Sequence, residues 1–146
     1  MNRSQRMEVV KSVAEHEEQQ ECREMGESGK VLQAKLGRLE ELSAYRQAYA
    51  ARLTRQQGLS ALQWQDYHKF LHRLDRALES QQQVVLEGRS QQEIHRKRWM
   101  QKRQRLESLS RIVDRYKALE FEEKERQLNK IQDSQPQGKS PYDNDQ

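Results

Sequence analysis

His68 and His72 stand four residues apart, a spacing that puts two imidazoles on one helix face and could supply two ligands to a zinc ion. The residues between them are Lys69, Phe70 and Leu71, so the glutamate of a zinc protease motif is missing. No neighbouring His or Cys completes a cluster, and the pair reads as surface or partner-contact histidines. Cys22 is the single cysteine and lies among Glu17, Glu18, Glu21 and Glu24. Nearby acids disfavour a thiolate, so an inert thiol is expected. The run from His95 to Arg105 holds six Lys or Arg residues that could grip phosphates. No glycine-rich phosphate loop and no nucleophile elbow occur, and the sequence supports neither catalysis nor a cofactor or metal.

These residues must therefore be positioned for contact rather than for chemistry, and the elements that position them are long helices. The 146 residues are 33% hydrophobic and 34% charged, with a mean hydropathy of −1.26. A compact globular domain usually carries more apolar content; long helices need only a narrow stripe. The two prolines, Pro136 and Pro141, leave residues 1–135 without a strong helix breaker. The net charge of +4 permits acidic partners without demanding nucleic acid. A lone cysteine makes no internal disulfide, no apolar run reaches the roughly 20 residues of a membrane span, and Met1–Val10 has no signal-peptide character. A cytoplasmic protein is expected, and the Asn2-Arg3-Ser4 sequon carries no meaning without a secretory route.

From Tyr67, alternating steps of four and three reach Leu71, Leu74, Leu78, Gln81, Val85, Gly88, Gln92, His95, Trp99, Lys102, Leu106, Leu109, Val113 and Tyr116. This is a heptad seam, and it requires a partner helix. A first helix is expected from Ser4 to Gln57, with a stripe of Met7, Val10, Val13, Ala14, Met25, Leu32, Leu36, Leu39, Leu42, Tyr45, Tyr49 and Leu53. Gly58 suits a left-handed helix terminus. Ser60 and Gln63 fit a capping box, and Leu59 with Trp64 fits a hydrophobic staple. The second helix should run to Gln132. So short a connection makes the helices antiparallel neighbours. The expected fold is all-α: two long helices in an antiparallel coiled-coil hairpin over 1–132, bent near 58–60, with a disordered tail over 133–146.

Such a bend pairs residues whose numbers sum to about 118. Glu15, Glu17, Glu18, Glu21 and Glu24 then meet Arg96, Lys97, Arg98, Lys102 and Arg103, which supports the register and neutralises much of the basic run. Gln81, Gly88, Gln92, His95 and Lys102 are weak core residues, and Gly88 should face the Gly26–Gly29 region. That stretch is either a loosely packed, solvated coiled coil or a bending point. Near the bend, Tyr45, Phe70 and Ala77 exceed what the core needs, which suggests a docking patch or a thicker core. At the chain ends, Met7 should pair near Arg111. The second helix would then outlast the first, leaving Ile112, Val113, Tyr116, Leu119 and Phe121 as an exposed apolar stripe.

The pieces Leu42-x-x-Tyr45-x-x-x-Tyr49, Trp64-x-x-Tyr67-x-x-Phe70-x-x-x-Leu74-x-x-Ala77 and Trp99-x-x-Lys102-x-Gln104-Arg105-Leu106 resemble the FliJ family of bacterial flagellar type III export, over residues 7–116. The resemblance implies a two-helix coiled coil and a soluble, non-enzymatic part of the export apparatus, peripheral at the cytoplasmic face of the inner membrane through its protein partners. It implies contact with the cytoplasmic domain of the export gate through Leu42, Tyr45, Tyr49, Phe70, Leu74 and Ala77. The chain ends would enter the export ATPase ring, with Ile112, Val113, Tyr116, Leu119 and Phe121 as the contact stripe. Export chaperones are further implied partners. Arg38 and Gln81 depart from the family's glutamine and histidine, and Arg126–Gln135 matches the family ending poorly. The equivalent stalk of a virulence secretion system is the alternative, followed by a basic coiled-coil nucleic-acid binder.

Overall fold

The computed structural model describes residues 1–134; from 135 onward the expected tail lies outside the described residues. Two helices account for the fold, α1 (Arg3–Arg55) and α2 (Ala61–Ser134), and there is no strand among the described residues. They pack antiparallel as a hairpin. The bend is built as the local residues dictate. Gly58 takes φ +79°, a conformation that costs a residue without Cβ little. The Ser60 hydroxyl accepts from the Gln63 N–H and the Gln63 side chain accepts from the Ser60 N–H, both at 3.2 Å. That reciprocal box satisfies two of the N–H groups α2 cannot bond internally. Trp64 does not sink into a core; half exposed, its ring lies 3.9 Å from that of His68.

A second capping box was not expected. The Asn2 side-chain oxygen accepts from the Gln5 N–H at 2.9 Å, and the Asn2 N–H donates to the Gln5 side chain at 3.1 Å. It starts α1 at Arg3, beside the expected start near Ser4.

The chain forms two compact units, one from residues 1–15 with 104–134, the other His16–Arg103. Within His16–Arg103, every expected α2 seam position is buried or half-buried, with Leu71, Leu74 and Val85 at the centre of the core. The facing α1 seam keeps the same alternation through Glu18, Glu21, Met25, Ser28, Leu32, Lys35, Leu39, Leu42, Arg46, Tyr49 and Leu53, all removed partly or wholly from water. Polar residues in this seam are tied across it. Gln81 donates to the Lys35 carbonyl at 3.0 Å. The Trp99 indole N–H donates to Glu18 at 2.9 Å. Lys102 meets Glu17 at 3.1 Å and Arg103 lies 3.9 Å from Glu18. The acidic and basic blocks therefore do face each other, although Arg96 turns to Glu93 on its own helix, at 2.7 Å. Gly88 does not face Gly26–Gly29. A Cβ there would lie 3.1 Å from Lys35 and 3.2 Å from Leu32, so the glycine admits those side chains.

In the unit of residues 1–15 and 104–134, the register differs from expectation. Ser4 donates to Glu120 through its N–H at 3.0 Å and its hydroxyl at 2.7 Å, and Glu8 pairs with Lys117. Met7 therefore does not pair near Arg111. A carboxylate at the first turn of α1 satisfies one free N–H group and meets the positive end of the helix dipole, which favours this alignment. Val113 is consequently 1% exposed and part of the core, not of an open stripe. Val10 and Val13, expected inward, are exposed, the latter at 56%. Ala14 is buried as expected, and Lys11 takes the seam position before it.

Candidate functional site

The His16–Arg103 unit gathers the aromatics expected near the bend. Phe70 is central: its ring centroid lies 4.5 Å from Tyr49 and 6.3 Å from Tyr45, the latter edge-on, and Tyr49 lies 5.4 Å from Tyr67. These separations are those of favourable aromatic pairs. On the same helix as Phe70, Leu71 and Leu74 form the closed core, each 8% exposed. Of the expected gate contacts, Leu74 belongs to that core; Leu42, Tyr49, Phe70 and Ala77 are half-buried; Tyr45 is 54% exposed. Of these, the rings of Tyr45, Tyr49 and Phe70 are brought together and offer a surface graded from half-buried to exposed.

Loss of solvent among these rings, followed by the neighbouring Tyr67, Tyr45 and Asp66, holds the Tyr49 phenol above its ordinary range. It therefore stays a neutral donor and acceptor at physiological pH. A groove of about 530 Å³ runs beside it, lined by Tyr49, Gln63, Asp66, Tyr67, Lys69, Phe70 and Arg73. Arg46 and Asp75 pair across the two helices at 2.8 Å, one turn from the rings. The arrangement can bury an apolar group and orient it with polar ones, and it holds no reacting pair.

His68 and His72 share one face of α2. With Trp64, Lys69, Arg73 and Arg76 they line a shallow concavity of about 760 Å³ on the face of α2. Trp64, His68, His72 and Arg76 recur every four residues, a signal present in the sequence but obscured by attention to the histidine pair alone.

In the terminal unit, the expected stripe divides. Val113 is buried and Tyr116 half-buried, whereas Ile112, Leu119 and Phe121 are exposed, Phe121 at 64%. Further on, Leu128 and Ile131 are also exposed. A small groove of about 190 Å³ lies among Arg3, Tyr116, Leu119, Glu120 and Glu123. No helix among the described residues is long and apolar enough to cross a membrane.

A family model described as "Flagellar FliJ protein" matches residues 3–136, which includes the stretch after Arg126 whose motif likeness is weak. A protein named "Flagellar FliJ protein" from Salmonella typhi is 26% identical over 114 residues, covering 77% of this chain and 78% of the relative. No solved structure matches the chain. With a family match that spans both helices and a hairpin whose exposed rings fall on the motif residues, the chain belongs to the flagellar FliJ protein family and is a component of the flagellar protein export apparatus.

Proposed function

We propose that the chain is a non-enzymatic coupling element between the export ATPase and the cytoplasmic domain of the membrane export gate, and that it escorts export chaperones. It would work at the cytoplasmic face of the inner membrane, held there by its protein partners. The observation that carries this reading is the ring cluster of Tyr45, Tyr49 and Phe70, half open to water where Leu71 and Leu74 close the core. Interface hot spots are of this kind: aromatic, central and backed by rigid packing. The apolar groups of α2 beyond its contacts with α1, notably Leu119, Phe121, Leu128 and Ile131, would serve the ATPase. Burying them gains about 25 cal/mol per Å² of apolar surface.

The test uses the full chain and the purified gate domain. Tyr45→Ala and Phe70→Ala should each weaken gate binding by about tenfold or more, with helicity and ATPase binding kept. Shortening the chain after Glu123 preserves the Ser4–Glu120 contact and should have the reverse effect. Unchanged gate binding in both alanine variants, or loss of both activities on shortening, refutes the proposal.

A further inference from the structure

Packing leaves one stretch of the His16–Arg103 seam unexplained. Glu21 Oε2, Gln92 Oε1 and His95 Nδ1 are shut off from solvent, yet none has a hydrogen-bond partner among the described residues. A buried carboxylate oxygen without a donor or a cation is costly, and such groups are normally paired. Glu24, three residues along α1, projects on the same side as Glu21. One donor atom from each of Glu21, Glu24 and His95 lies within 4.8 Å of the other two. The cluster is reachable, because a groove of about 310 Å³ lined in part by Glu24, Gly88 and His95 opens beside it.

We propose that Glu21, Glu24 and His95 form a site for a divalent transition-metal ion, zinc fitting best, that clamps α1 to α2 at the polar part of their seam. Two carboxylates and one imidazole are a donor set zinc accepts, with water in the fourth position. Calcium and magnesium favour oxygen alone, and copper(I) favours sulfur. Donors around tetrahedral zinc sit about 3.3 Å apart at bond lengths near 2.0 Å, so the three groups need to close by no more than about 1.5 Å, which side-chain rotation supplies. A single cation accounts together for the paired acids on one helix, the imidazole on the other and the lone Glu21 and His95 atoms.

Chelator-treated full chain, titrated with zinc chloride in a calorimeter and melted with and without zinc, tests this. One zinc per chain and a higher Tm are expected, with magnesium giving no comparable shift. Glu21→Gln and His95→Gln should each weaken zinc binding at least about tenfold. Glutamine already occupies the seam at Gln81 and Gln92, so both variants should keep their helicity. Cys22→Ser and the His68→Ala/His72→Ala double variant remove the other candidate ligands and should bind zinc as before. X-ray absorption of the unaltered chain with zinc should show oxygen and imidazole neighbours only. Absent stoichiometric binding, unchanged affinity in both glutamine variants, or sulfur beside the zinc overturns the site.

Discussion

Two stretches of one seam, both inside His16–Arg103, follow the same heptad spacing with opposite chemistry. Near the bend, Leu71 and Leu74 are closed from water, and Tyr49 packs on Phe70. Farther along, the same positions carry Glu18, Glu21, Gln92, His95 and Trp99, and contacts such as Trp99 to Glu18 at 2.9 Å replace apolar packing. Apolar packing is strong but tolerates sliding, since one leucine resembles the next. Hydrogen bonds are weaker in net terms but specify one partner each. The first stretch holds the helices together and the second sets which residues meet. The consequence for function is that aromatic groups near the bend can remain partly exposed, because Leu71 and Leu74 already close the core.

The largest effect should come from opening that core. Leu74→Ala should destabilise the chain by about 2–4 kcal/mol, read from the denaturant midpoint, whereas the exposed Tyr45→Ala should change stability by about 0.5 kcal/mol. Equal losses would mean that the ring cluster is core and that no distinction exists between core and surface.

The polar stretch should respond next. Glu18→Ala leaves the Trp99 N–H without its acceptor and should cost about 1–3 kcal/mol. Glu18→Gln keeps an acceptor and should cost less. If alignment rather than stability is the role of this stretch, a spin-label pair at positions 17 and 102 should broaden its distance distribution in Glu18→Ala even where helicity is retained. A distribution as narrow as that of the unaltered chain would deny the polar residues their aligning role.

The bend should be less sensitive than either. Ser60→Ala removes one half of the capping box and should cost about 1 kcal/mol, with the Gln63 N–H exchanging faster with solvent. A loss as large as that of Leu74→Ala would show that the bend, not the seam, governs the pairing.

The degree to which each region was legible follows from the same chemistry. The α2 seam could be read position by position, because a seven-residue repeat survives substitution by Gln81, Gln92 or His95. The α1 seam could not, because its inward positions include Lys11, Glu18, Glu21, Lys35 and Arg46. The apolar Val10 and Val13 face water instead. Extending the alternation back from Leu53 would have found the right face. The bend was legible because capping is local, within Ser60–Gln63. The alignment of the chain ends was not, since Ser4 and Glu120 are 116 residues apart and nothing in either one's neighbourhood announces the other. The ring cluster was visible as a surplus of aromatics, but the division into Leu74 core and Tyr45 surface needed the geometry.

The smallest effect concerns that Ser4–Glu120 contact, and it asks whether a partly buried polar pairing at the chain ends aligns helices as those around Trp99 do. The Ser4 hydroxyl, then the Ser4 N–H, hold the Glu120 carboxyl below its ordinary range. A carboxyl depressed in the folded chain contributes stability above its unfolded pKa and loses it as the pH falls through the folded value. The contact should therefore be intact at neutral pH and disappear only on acidification through the carboxylate range. Carbon-detected NMR of the Glu120 carboxyl, followed against pH, should show a midpoint below that of a free glutamate. Ser4→Ala removes the hydroxyl donor, and the midpoint should rise toward the ordinary value while the melting temperature at neutral pH falls only slightly. At low pH the two chains should melt alike, because protonation removes from the unaltered chain what the substitution removes from the variant. An unshifted midpoint in Ser4→Ala would mean that Ser4 does not hold Glu120 in solution, and the alignment of the chain ends would then rest on Val113 and its neighbours alone.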